Sequence, residues 1–291
     1  MRPQLRRVTV LLMAVLLPAS LLPWGFTAHK QVNRGAIQEV APELLPFFKT
    51  HRSGIIERAR EPDTRKDDHP EEGPRHYLDI DYYGEYPFEA LPRNYPEAAE
   101  AYGEETIEEN GLLPWRIAGC TDSLTKAFAR KDTEEIIRWA AWLGHYIADA
   151  HQPLHTVLNY DGQLTGNDGI HSRYESGMLN FYFNEYEFRP RDVETVRDPV
   201  KAAFDIILES NRLNKQVIEA DDIAVKPMSK QNKLRMYDYY KTERDSAYFR
   251  RLYEQTSEMT WKRLDLASSR LAEFWNYAWR TAGRPELPSG L

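Results

Sequence analysis

Cysteine is almost missing from this chain. Its 291 residues include one, Cys120, so no intramolecular disulfide can form, and the lone thiol reads as a small buried hydrophobe. After residue 23 no apolar run is long enough to span a bilayer. No segment of roughly 20–50 residues recurs, which excludes a repeat array. Strand patterning is scarce, the best alternating run being the short HYLDIDYY at 76–83. Positive charge is in deficit: 38 Lys and Arg face 45 Asp and Glu, a net of −7. Such a surface repels polyanions at long range, although a local cluster of metal cations can reverse the field where it forms.

What remains describes an ordinary globular protein, 42% hydrophobic and 29% charged, with length for one large domain. The first 23 residues stand apart. Arg2, Arg6 and Arg7 precede an apolar stretch from Val8 to Leu17, and the small residues Ala19 and Ser20 follow. This predicts a secretory signal, too short and too interrupted at Pro18 to anchor the chain. Its removal would shift the net charge from −7 to −10 and leave 24–291 as a secreted or periplasmic domain.

Helical patterning dominates that domain. Helices are expected over 31–41, 43–50, 53–60, 171–180, 198–219, 228–242 and 245–282, with irregular polar stretches at 62–75, 84–96 and 159–169. The clearest helix covers 132–152. Asp132 or Thr133 can cap it, Glu134 and Glu135 suit its positive end, and Pro153 stops it. Its middle, IIRWAAWLGHYIADA, is apolar on nearly every side and should be buried. The expected fold is all-α, a single helical-bundle domain with long functional loops.

The eight histidines carry the functional signal. His145 and Asp149 are four apart, so both leave one face of the buried helix. A carboxylate there needs partners, because burying it alone is very costly. His171 and Glu175 repeat the spacing, His155 follows Pro153, and His76 and Asp63 lie in nearby loops. Mixed imidazole and carboxylate donors suit zinc, and bridging carboxylates hold paired ions. His51 and His69 sit among charged residues and read as exposed. His151 faces away from His145 and reads as a helix-end residue, while Asp79 and Asp81 read as surface carboxylates or as groups orienting a ligand imidazole.

These residues also carry a resemblance. Trp24-x4-His29, then Asp63, then His76 in HYLDID, then GHYIADAHQPLH and HSRYE resemble the zinc-dependent phospholipase C and single-strand-specific zinc nuclease superfamily across residues 24–175. The resemblance implies a three-zinc site. Asp63, His76, His145 and Asp149 would hold one ion. The amine and carbonyl of Trp24, with His29 and a bridging Asp149, would hold its close neighbour, and His155, His171 and Glu175 the third. Zinc would activate the attacking water, with Asp63 as the catalytic group that orients or deprotonates it. If the signal is not cut at Trp24, two ions are expected.

The branch is mixed. The Trp24–His29 step resembles the nucleases, whereas HSRYE and VNRGAI resemble phospholipase C, which is the preferred branch. Thr64 and Gly73 stand where choline-lipid enzymes carry aromatics. The expected substrate is a phosphodiester, either a phospholipid or a single-stranded nucleic acid, with no obligate protein partner. The alternatives are endonuclease or 3'-nucleotidase activity at the same site and, more remotely, a non-catalytic zinc-binding protein.

Overall fold

The computed structural model describes residues 26–227 and 246–288. The expected signal, Trp24 and the helix expected at 228–242 lie outside these residues. Among the described residues every regular element is helical.

The helix expected at 132–152 is the axis of the molecule. This helix, α8 (Thr133–His151), starts where the Asp132 side chain accepts from the Glu135 N–H at 3.2 Å, and Gln152 and Pro153 end it. Every residue from Ala140 to His151 is buried. Packed around it are α1 (Phe26–Ala36), α3 (Arg52–Arg58), α7 (Leu113–Arg130) and α11 (Pro199–Asn211), together with the long C-terminal α13 (Ser246–Thr281). Helices α2 (Leu45–Thr50), α5 (Tyr95–Tyr102), α6 (Glu104–Glu109) and α12 (Asn214–Val225) complete the bundle. Cys120 is a fully buried free thiol on α7.

Several expectations change. The first helix runs over Phe26–Ala36 rather than 31–41, so His29 lies within it. The stretch 62–75 is not a plain loop: α4 (Glu61–Arg65) and a 3-10 turn (Pro70–His76) place Asp63 and His76 on short helical segments. The HYLDIDYY segment finds no strand partner and turns instead through a 3-10 element at Ile80–Tyr83. The helix expected at 198–219 breaks after Asn211, whose side chain leaves the helix to donate to the Thr156 carbonyl at 2.7 Å. Helices α5 to α7 are additions to the sequence expectation, with Pro96 and Pro114 in the first turns of α5 and α7.

His171 and Glu175 sit in a helix of uneven pitch. It begins as α9 (Ile170–Ser172), widens to π geometry over Arg173–Met178, and closes as α10 (Leu179–Tyr182). Gly169, at φ +80°, supplies the left-handed residue that starts it. A π segment of this kind re-aims side chains and is common at functional sites.

Candidate metal centre

Of the nine residues expected to bind metal, eight lie among the described residues, and all eight converge. Helix α8 supplies His145 and Asp149. Helix α1 reaches them because position 144 is glycine: a Cβ there would collide with the Asn33 amide. Asn33 Nδ2 donates to the His29 carbonyl at 3.0 Å, and the His29 and His145 rings stack with centroids 3.9 Å apart. Helix α4 adds Asp63. Its Oδ1 accepts from Lys66 Nζ at 2.8 Å and lies 3.8 Å from His145 Nε2, while Oδ2 lies 3.9 Å from His29 Nε2.

Asp149 divides its oxygens between two sides. Oδ2 is 3.0 Å from His76 Nδ1 and 3.2 Å from His145 Nε2, whereas Oδ1 is 3.7 Å from His29 Nε2 and 3.5 Å from His155 Nδ1. That is the arrangement of a carboxylate shared between two cations. The outer triad lies next to it. His155 Nε2 and His171 Nε2 are 3.2 Å apart, and both face Glu175 Oε2, at 3.3 and 3.1 Å.

The tautomers follow from the outward nitrogens. His145 Nδ1–H donates to the Ala59 carbonyl, His155 Nδ1–H to that of His76, and His171 Nδ1–H to that of Tyr160, at 2.8, 2.9 and 3.2 Å. Each then turns its Nε2 into the site. Backbone carbonyls, not Asp79 or Asp81, orient these rings. Asp79 is buried with Oδ1 unpartnered, and Asp81 Oδ1 accepts from the Leu158 N–H at 2.8 Å.

Electrostatics fit a cation cluster. Burial, reinforced by His145, drives His29 down to about 3, and burial drives His76 down to about 4, so both stay neutral as ligands must. Burial opposes charge on Asp149, but His145 and His155 hold it well below the usual carboxylate range. Glu175 is likewise held down against its burial, chiefly by His171. Asp63 Oδ2, on the cluster side of its carboxylate, is buried without a hydrogen-bond partner. Interiors rarely leave such an atom orphaned, and a ligand is one recognised explanation. Three groups have donor atoms within 4.8 Å of one another, suited to hold an ion: His29/His145/Asp149, Asp63/His76/His145 and His155/His171/Glu175. The imidazole and carboxylate donors, with no thiolate, fit zinc.

Of the remaining histidines, His69 is largely exposed beside Glu71, as expected, whereas His51 is half-buried rather than exposed, its ring packed against Phe47. His151 faces away from the cluster. Its Nδ1–H donates to Ile147, and its Nε2 lies 3.1 Å from Arg270 Nη1. Burial, then Arg263 and Arg270, keep it neutral. Sequence reasoning missed Lys66, which clamps Asp63, and Gln152, whose Nε2 donates to Glu175 Oε2 at 3.1 Å. Lys66 could have been found as the residue one helical turn beyond Asp63.

Comparison with known proteins agrees with this geometry. The model of the S1/P1 nuclease family matches residues 24–280. The chain belongs to that family. Its members are metal-dependent phosphodiester hydrolases, and the all-α architecture is theirs. The chain is also 22% identical over 197 residues to a protein of Bradyrhizobium tropiciagri described as a probable serine protease. That match covers 62% of this chain and 25% of the relative, so this S1/P1-type chain spans about a quarter of that longer protein. Among the described residues no helix is long and apolar enough to cross a membrane.

Proposed function

We propose that this S1/P1 family protein is an extracytoplasmic hydrolase of nucleic-acid phosphodiester bonds that works with three zinc ions. One observation carries the reading: Asp149 presents one oxygen to His29 and the other to His76 and His145, beside a separate His155/His171/Glu175 triad. Zinc bound there supplies positive charge that acidifies water and neutralises phosphate oxygens.

The chain's own groups do the rest. Asp63 Oδ2 faces the cluster without a protein donor, so it is the position from which a water can be oriented and its proton accepted. Lys66 fixes the other oxygen and sets a partly exposed positive charge at the rim. The outer triad is the more open part, with the His171 side chain 23% exposed, and is the side from which a substrate phosphate can reach the cluster. Tyr160, half exposed next to His171, offers an aromatic face to a base. The Arg-rich, apolar segment before residue 24, where the family match also begins, supports export.

A phospholipid substrate is the second reading, supported by HSRYE with Glu175 in the outer triad and by the acidic net charge, which disfavours a polyanion. A panel of single-stranded DNA, RNA and several glycerophospholipids, given to zinc-replete protein with and without chelator, tests both. Chelator-sensitive cleavage of the nucleic acids is expected. Cleavage of lipid alone would replace the first reading by the second, and no turnover of any phosphodiester, including bis-nitrophenyl phosphate, would defeat both.

A further inference from the structure

His76 is turned the opposite way from the other oriented ligand rings. Its Nδ1 faces the cluster, 3.0 Å from both Asp149 Oδ2 and His145 Nε2, so Nε2 points outward. That nitrogen is buried and has no hydrogen-bond partner. It faces an anionic group, Glu72 Oε1, at 4.0 Å.

Glu72 is fully buried and lies one turn before His76 on the same 3-10 segment. The Tyr146 hydroxyl donates to Oε1, and Arg75 Nη1 donates to Oε2 at 2.9 Å. Arg65 Nε at 3.5 Å and Arg116 Nη2 at 3.8 Å add further positive charge. Tyr146 directly follows His145 on α8, so the helix that offers a ligand also locks the carboxylate behind the next ligand.

We infer that Glu72 is a positioning residue that holds His76 in the tautomer protonated on Nε2 and leaves Nδ1 bare for a cation. The inference rests on the metal reading above. In the other tautomer an N–H would point at the cation and a lone pair at a buried carboxylate, two repulsions at once. A carboxylate behind a ligand imidazole fixes its orientation and strengthens its donor nitrogen. A purely structural role, neutralising three guanidinium groups, would make no demand on His76.

Two measurements test this. In zinc-loaded wild-type protein, nitrogen–proton correlation of labelled histidines should show His76, assigned by its loss in His76→Gln, protonated on Nε2. Protonation on Nδ1 overturns the inference. In Glu72→Gln, zinc titration should show one ion held about 10–100-fold more weakly, with the outer ion unchanged. The loss should persist in Glu72→Gln/Arg75→Gln, where charge balance is restored. Unchanged zinc affinity in the single variant, or recovery in the double, overturns it. If Glu72→Gln fails to fold, the wild-type tautomer decides. Wild-type protein that binds no zinc would instead defeat the metal reading itself.

Discussion

The side chains of His29, Asp63, His76, His145 and Asp149 are at most 5% exposed, whereas in the outer triad His155 is 11% and His171 23% exposed. The two groups use the same donor chemistry but hang from different scaffolds. The inner one is held by α1, α4, α8 and a 3-10 turn packed into the core. The outer one hangs from the turn after α8 and from a π-widened helix behind a Gly- and Asn-rich loop. Inner geometry is therefore enforced by global folding, while outer geometry can open locally. Asp149 Oδ1 lies between them, near both His29 and His155.

The largest effect should come from breaking that shared carboxylate. Asp149→Ala should disturb two ions and remove hydrolysis by more than the roughly 10–100-fold seen when a residue behind a ligand is changed. Elemental analysis beside turnover of bis-nitrophenyl phosphate would check it. Loss of a single ion with the rate intact would mean the oxygens are not shared.

His171→Ala should sharpen the contrast from the other side, costing one ion and leaving the inner pair. Graded chelation of the wild type should follow the same order, with the exposed ion leaving first. Release of all ions in one phase would erase the distinction between the groups.

Between the groups runs the 76–83 strap, and Asp79 within it gives a pH-dependent effect. Burial and Asp81 raise Asp79 to about 7. The native state keeps a proton that the unfolded chain releases above pH about 4, so this residue costs stability progressively from pH about 4 to about 7. The upper limit is about 1.4 kcal/mol per pH unit. Asp79→Asn should therefore raise the melting temperature more at pH about 8 than at pH about 5. An equal gain at both would place the proton elsewhere.

The smallest effect on chemistry is expected at His151, on α8 between Asp149 and His155. His151→Ala should leave zinc content and rate near wild type while costing about 1–3 kcal/mol of stability through its lost buried partners. Denaturant unfolding beside elemental analysis separates the two. A fall in zinc would join this residue to the site.

Much of this was legible because helical spacing is local. His145 with Asp149 and His171 with Glu175 declare a shared face by being four apart, and Pro153 marks where α8 must end. Asp63 and His76 were legible as candidates but not as helical residues, since their segments are too short to show periodicity. Helices α5 to α7 stay hidden in the sequence because their apolar residues read as background after the proline-rich stretch at 84–96. Glu72 was indistinguishable from Glu71 beside it, one being fully buried and the other exposed at the surface.

Residue order alone therefore determined the all-α class, the buried central helix and the paired candidates His145/Asp149 and His171/Glu175, because these depend on side-chain type and spacing within one turn or two, whereas Trp24 and His29 became candidates only through the family resemblance. The tertiary structure decided which nitrogen each imidazole offers, how Asp149 divides its oxygens, and which carboxylate stands behind His76. Those depend on contacts between residues far apart in the chain, such as Gly144 admitting Asn33 and Ala59 receiving His145. Close packing of distant helices sets such contacts, and no local pattern encodes them.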